Sequence, residues 1–320
     1  MIRLSRSSAI LACLLALSQG AIAQSLPAYA PINPVAASRS GVYFQPYRLP
    51  RPGRWTGSIS LDYGTSAELN DVALAAYTLD AELLRLRLGV ARDLGPSTFL
   101  LADAEVDGAY DGFLDGFLDW YHRTLGFRVR QRDQLPKDEF RYELLLPNGR
   151  TFSRKPTDLA LGDVRVGAGY RVGRSLQTVL SVTLPTSTGP RGYGRGTVSL
   201  NLLNTARFQP HPRLVAEGGF GIGYTPSHGD LEEVQRETFV SLSGGGRYRF
   251  WGRQSLYANL IYHSPYYRNT SLPALDRREL TLDFGWILTT RGGDWRIGLT
   301  EDLEPGGPAI DLVFRFGRDF

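Results

Sequence analysis

The side chains in this sequence best suited to move protons near neutral pH are four histidines, His122, His211, His228 and His263. A hydrolase needs one of them within hydrogen-bond reach of a nucleophile. Only His263-Ser264, with Asn269 nearby, suggests such a group. Neighbouring residues on a strand point to opposite faces, so His263 is badly placed to activate Ser264. The histidines are remote from one another and the single cysteine is Cys13, so no metal-ligand spacing exists. Gly189-Pro-Arg-Gly-Tyr-Gly-Arg-Gly196 superficially resembles a phosphate loop but lacks its Lys-Ser/Thr, and it reads as a surface loop. The expectation is a protein without enzymatic activity and without cofactor or metal. A lipid esterase working at a membrane rim is the minor enzymatic alternative.

The remaining chemistry is charge, and its spacing is informative. Arg85, Arg87, Asp103, Glu105, Asp107, Arg165, Arg171, Glu217, Arg247, Arg249, Asp283, Arg296 and Arg315 fall among alternating apolar residues. Leu84, Leu86, Leu88 and Val90 interleave with Arg85 and Arg87; Val164, Val166, Ala168 and Tyr170 interleave with Arg165 and Arg171. Such a period of two belongs to strands with one polar and one apolar face. Of 36 basic residues only Lys137 and Lys155 are lysine, and the arginines are dispersed rather than clustered, which argues against a nucleic-acid partner.

Two architectures produce this alternation: a soluble sandwich, or a transmembrane barrel whose polar face lines a lumen. Strands are expected near 53–63, 76–91, 97–109, 158–172, 175–185, 196–209, 212–224, 237–250, 254–265, 278–290, 294–302 and 308–320. The links between them alternate between long and short, as in outer-membrane barrels with short periplasmic turns and long outer loops. The expected fold is therefore all-β: an antiparallel up-and-down transmembrane β-barrel of about 12 strands, with one amphipathic helix in a long insertion. Trp55, Tyr63, Trp251, Trp286 and Trp295 lie near strand ends, where interfacial girdles sit.

Length and composition agree. The chain has 320 residues, 42% hydrophobic, 36 Gly, 19 Pro and a formal charge of +4. Its mean hydropathy of -0.20 leaves no room for a helical membrane bundle. Arg3 and Arg6, the apolar stretch Ala9 to Leu17, and Ala21-Ile22-Ala23 read as a signal peptide over 1–23, which takes Cys13 with it and leaves a charge nearer +2. Residues 24–52 carry Pro27, Pro31, Pro34, Pro46, Pro50 and Pro52 and read as an extended lead-in tail with little sheet. The barrel domain then fills 53–320, with a helix-hairpin insertion at 110–157.

In that insertion Phe113, Phe117 and Trp120 or Tyr121 recur at helical spacing, with Asp115 and Asp119 between them. Phe140-Arg-Tyr-Glu-Leu-Leu-Leu146 and Arg150-Thr-Phe152 flank Asn148-Gly149, a hairpin signal. The helix could plug the lumen, cap its mouth or lie in the headgroup layer; cap or plug is the expectation. Gly219, Gly221, Gly223 and Gly245 leave room on the lumen face for a docked element, or mark bends.

Arg51-Pro52-Gly53-Arg54-Trp55, Gly112-Phe-Leu-Asp-Gly-Phe-Leu-Asp119, and Phe140-Arg-Tyr142 with Pro147-Asn-Gly149 together resemble a bacterial family of uncharacterised, domain-of-unknown-function outer-membrane proteins. The resemblance runs from about residue 40 to the end, with Gly126 to Lys137 departing from it, and implies no known reaction. The final strand, with Phe314, Phe316 and the terminal Phe320, is similar to the assembly signal of bacterial outer-membrane proteins, apart from Arg318 where an apolar residue is usual. Barrel-assembly machinery and outer-membrane lipid are thus the expected partners. The expected place is the outer membrane, reached through the periplasm.

A porin-like channel or transporter for small polar solutes follows from a charged lumen of this width. A structural or loop-mediated binding protein of the outer membrane is the alternative, and opposite charges that merely pair across the lumen would suit it.

Overall fold

The computed structural model describes residues 25–39, 44–126, 134–190, 192–304, 310 and 312–320. The expected signal peptide, Cys13 included, lies outside the described residues.

Among the described residues fifteen strands form one sheet, and twelve of them close a barrel. These are β1 (Trp55–Val72), β2 (Ala75–Asp93), β3 (Thr98–Tyr110), β7 (Val164–Val172), β8 (Leu176–Leu184), β9 (Ser199–His211), β10 (Leu214–Tyr224), β11 (Thr238–Trp251), β12 (Gln254–His263), β13 (Glu279–Thr290), β14 (Gly293–Asp302) and β15 (Leu312–Asp319). Every neighbouring pair is antiparallel. The ring closes where β1 meets β15, from Ser58 opposite Asp319 to Thr65 opposite Leu312. Closure is obligatory in hydrocarbon, because an open edge leaves backbone groups without partners. The turns after β2, β7, β9, β11 and β13 are short and lie at one end, the periplasmic end in outer-membrane barrels, where outer loops are the long ones.

Two features depart from the expected strand map. The link at 64–75 is not a loop: β1 and β2 continue through it and turn at Ala73-Leu74. The strand expected at 158–172 breaks at Gly162-Asp163 into β6 (Thr157–Leu161) and β7. There the Asp163 carboxylate accepts from the amides of Ser187 and Arg195 instead of riding the strand.

The long β1–β2 hairpin rises past the barrel rim and pairs with β4 (Arg141–Leu145), which pairs with β5 (Thr151–Arg154) through the Asn148-Gly149 turn. Gly149 has φ +80°, which the turn requires and which glycine adopts without penalty. Along β2 the inward face changes character with height. Arg85 and Arg87 line the lumen; Leu83, Ala81, Leu79, Tyr77 and Ala75 above them are apolar and buried. With Tyr142, Leu144 and Phe152 of the hairpin, Leu275 of α3 (Pro273–Asp276) and Leu272 just before it, they form a hydrophobic core over the outer mouth. Each buried Leu and Phe among them contributes roughly 1.5–3 kcal/mol, so this end of the barrel carries a packed lid.

Candidate functional site

The lumen is occupied, and its occupant is the N-terminal tail. A proline-rich chain forms no ladder of its own and offers carbonyls without partners. The barrel wall supplies the donors. Arg85 donates to the carbonyls of Ala30 (2.6 Å) and Pro31, and Arg315 to that of Ala28 (2.7 Å). Arg171 donates to Arg48 O (2.6 Å) and Thr205 to Gln45 O (2.9 Å). Gln177 is bidentate: its amide donates to Pro46 O and its oxygen accepts from Arg48 N, both at 2.8 Å. Glu217 accepts from Tyr47 N (3.2 Å), and the Tyr29 hydroxyl donates to Glu279 (2.8 Å).

These contacts trace a hairpin. Ser25 lies near Arg207 at the short-turn end. The chain climbs through Tyr29 to a single helical turn, α1 (Pro34–Ala37), whose N-cap is Asn33, its Oδ1 accepting from Val35 N at 2.9 Å. It returns through Phe44 to Gly53 at the short-turn end and enters β1. Tyr29 and Phe44 pair as an antiparallel bridge between the two arms. Val35 and Ala36 of α1 belong to the hydrophobic lid. Arg39 fastens the tip: its guanidinium donates to the carbonyls of Thr225 (2.8 Å), Arg236 (2.9 Å) and Pro226 (3.0 Å) in the outer loops. Burial draws the Arg39 pKa down from its ordinary value, and the three carbonyls stand in for lost water. Gly219 makes room both for its cross-strand neighbour and for the tail: a Cβ there would collide with the Ser243 hydroxyl and meet the Phe44 ring at 3.3 Å.

The charged residues chosen from the sequence sit on the wall around this hairpin, and most pair with neighbours. Arg85 meets Asp62 at 3.0 Å, and Arg315 bridges Asp62 (3.2 Å) and Asp283 (2.6 Å). Arg87 pairs with Glu105 (2.8 Å), Arg165 with Asp103 (2.5 Å) and Arg296 with Asp319 (3.2 Å). Arg171 pairs with Asp93 (2.7 Å), Glu217 with Arg207 (3.2 Å) and Arg247 with Asp294 (2.5 Å). Asp107 lies opposite Arg85 on the adjoining strand. Arg249 departs from the set: it sits at the short-turn rim, partly exposed, and donates to Pro212 O. The partners Asp62, Asp93, Arg207 and Asp294 share the inward parity of the chosen residues, and that parity was the available signal. Arg39 and Arg48 carried none, because they lie in the tail.

Helix α2 (Asp115–Leu125) is neither plug nor cap. It lies outside the barrel. Phe113, just before it, stacks on Tyr63 (centroids 6.1 Å apart), and Phe117 meets Phe314 at 6.0 Å; both partners are on the apolar outer face of β1 and β15. Phe117 also packs on Trp120 and Tyr121. Asp119 pairs with Lys137 (2.6 Å), and Asp115 accepts from Asp138 N. The helix is amphipathic, but the apolar surface available to it was the outer wall, since the tail fills the lumen. Its lead-in is clamped: Glu82, buried though on the outer face of β2, accepts from Phe113 N (2.5 Å), Leu114 N and the Tyr63 hydroxyl. Gly112 lies against that carboxylate with φ +75°, where a Cβ would collide with it.

Phe314, Phe316 and Phe320 follow the outer face of the closing strand. Arg318, the odd residue there, lies over the rings of Trp295 (4.6 Å) and Phe320 (5.6 Å), which give an outward cation a favourable place in an aromatic girdle. His263 is buried, stacks on Tyr266 at 4.3 Å and contacts the Ser264 carbonyl, while the Ser264 hydroxyl accepts from Val240 N. That geometry holds no activated nucleophile.

A cavity of 470 Å³ remains between the tail and the β1–β2 and β14–β15 side of the wall. Arg48, Arg51, Arg87 and Arg296 line it with Asp103 and Asp319, and it reaches the short-turn rim at Arg291–Gly293.

The family model described as "Protein of unknown function (DUF3187)" matches residues 68–318. The chain belongs to this family. The match takes in the β1–β2 extension, α2 and all later strands, but not the tail. Among solved structures, the COG4313 outer membrane channel from Pseudomonas putida F1 superposes with a TM-score of 0.52 at 14% identity, covering 85% of this chain and 97% of that one. The NanC porin (TM-score 0.46, 9% identity, 82% and 98% covered) and the KdgM porin (0.42, 10%, 82% and 98%) are also similar. No curated protein matches. At these identities the likeness is one of fold: this family member has the closed β-barrel fold of an outer-membrane channel.

Proposed function

We propose that the chain is a gated channel for small polar solutes, closed in the described state by its own N-terminal hairpin. The observation that carries this reading is the kind of contact holding the plug. Below α1 the tail backbone is held by hydrogen bonds with Arg85, Arg315, Gln177, Thr205 and Glu217, beside one small apolar cluster of Leu26, Tyr29 and Phe44 on Tyr257, Ile261 and Ile287 and the Arg48–Asp93 ion pair. Water can replace such bonds at a net cost of about 1 kcal/mol each. A scaffold that only needed a solid core would be filled with apolar side chains. The 470 Å³ cavity beside the tail gives a small solute room at the periplasmic end, and the paired charges around it favour polar cargo. That the similarly folded COG4313 protein is an outer membrane channel agrees with this reading.

Export through the periplasm, insertion by assembly machinery that reads Phe314, Phe316 and Phe320, and a solute as partner belong to the same proposal. Planar-bilayer conductance tests it. The full protein should be closed nearly all the time, and removal of residues 25–52 should give discrete steps. Removal of 110–157 takes away β4 and β5 of the lid and should give, at most, flickering. Silence from all three proteins would favour a structural or loop-binding role instead.

A further inference from the structure

Phe113 is 73% exposed and Trp120 56% exposed, although both belong to an apolar face already packed on the barrel. Aromatic rings left bare beside a lipid-facing wall call for lipid. Their height fits. Tyr63, under Phe113, stands eight residues along β1 from Trp55 at the periplasmic girdle. At about 3.3 Å per residue and a tilt near 40°, that is roughly 20 Å along the barrel axis, close to the top of an apolar band about 25 Å tall. The acidic residues Asp115 and Asp119 engage Asp138 and Lys137 on the polar side. The helix therefore has one side for hydrocarbon and one for water.

Adjoining it at Tyr63 and Phe314, the outer wall carries a groove of 1120 Å³ whose lining is almost wholly apolar. Leu256, Phe284, Trp286 and Leu299 form its sides, and Gly246 and Ala258 leave its floor free of bulk. Tyr63 and Phe314, the two rings that hold α2, also line it. Helix and groove are thus parts of one surface, continuous with the lipid-facing wall.

We infer that α2 lies in the outer headgroup layer, at the end of a groove that holds an acyl chain of one membrane lipid. The Glu82–Gly112 clamp fixes the helix at that level. This inference is independent of conduction, and a silent pore leaves it standing.

The test uses the full protein in nanodiscs made with phosphatidylcholine brominated at carbons 6,7 or at carbons 11,12. The difference in emission between the protein and Trp120→Phe isolates Trp120. It should be quenched at least twofold by the shallow label and less by the deep one. Trp120 emission untouched by either label overturns the placement of the helix. For the groove, native mass spectrometry after detergent washing should find one retained lipid. Ala258→Trp, or the smaller Ala258→Leu if the first does not assemble, should reduce that occupancy at least tenfold. Equal retention by the filled groove, or no retained lipid on the unaltered protein, overturns the acyl-chain site.

Discussion

Replacing Arg39 by glutamine should unlatch the plug. Arg39 is 2% exposed and donates three hydrogen bonds, at 2.8, 2.9 and 3.0 Å, to carbonyls of the outer loops. No other tail residue ties the hairpin tip to those loops through so many bonds among the described residues. At a net value of about 1 kcal/mol per bond, toward the lower end because the carbonyls rehydrate on release, their loss amounts to about 3 kcal/mol. Since about 1.4 kcal/mol is tenfold, the ratio of released to seated tail should rise about 100-fold. The assay is single-channel recording in planar bilayers. Open probability should rise by that factor while unit conductance stays the same, because the wall is untouched. Arg39→Lys should fall between the two, since an ammonium keeps the charge but lacks the planar fork that reaches all three oxygens. An unchanged open probability in folded, heat-modifiable Arg39→Gln protein would refute the latch. A changed unit conductance would refute it differently, by putting Arg39 in the conducting path.

Gly219→Leu should also favour the open state, because its side chain would compete with the Phe44 ring for one space once the Ser243 hydroxyl has turned aside; recordings of the folded protein should show more openings. Gly112→Ala should free α2 by forcing Glu82 off the Phe113 and Leu114 amides, so amide exchange over 111–126 should accelerate by an order of magnitude or more while the barrel strands stay protected. Leu180→Arg puts a cation on the lipid face of β8, at a cost of roughly 2–4 kcal/mol near the midplane, and should reduce the yield of folded protein. Arg171→Leu faces the lumen and should assemble, but it removes the donor to Arg48 O and a partner of Asp93, so proteolysis within the tail should become faster.

Strand positions were legible because a sheet with lipid on one side and polar groups on the other imposes a period of two on every residue it includes. Where that condition lapses, legibility lapsed too. Gly64-Thr-Ser-Ala67 carries no alternation because β1 there leaves the membrane and enters a lid with other demands, so it resembled a loop. The plug was hidden for a related reason. Pro27 to Pro52 has no period to read, and a lumen-filling tail and a free linker share one composition. The helix was visible, but its site was not: amphipathicity says that one face needs apolar contact, not whether the lumen or the outer wall supplies it. Only the competition for the lumen, which the tail wins, decides that. Gly219 held the clearest clue, since a lumen glycine on a strand invites a docked element, and the element turned out to be Phe44 of the tail.

The wall's own ion pairs bear on what an unplugged barrel would do. When the tail leaves, Arg85 keeps Asp62, Arg315 keeps Asp283, and Arg87 keeps Glu105. The arginines lose carbonyl acceptors, which water replaces, but not their counter-charges. Had the tail supplied carboxylates instead, its release would leave bare cations in a narrow lumen, and reopening would be opposed by several kcal/mol per uncompensated charge. The tail largely avoids that penalty: its carbonyls are dipoles, and the charge it does pair, Arg48 with Asp93, leaves behind a carboxylate that keeps Arg171. The open lumen should then be nearly balanced in charge, with the excess of arginine confined to the periplasmic end near Arg48, Arg51 and Arg54. Reversal potentials of the protein lacking residues 25–52 would carry that signature. With Arg48 and Arg51 removed along with the tail, anion preference should be weak, whereas Arg39→Gln openings in the full chain should prefer anions more strongly. Equal selectivity in the two would mean that the wall, not the tail, sets the field.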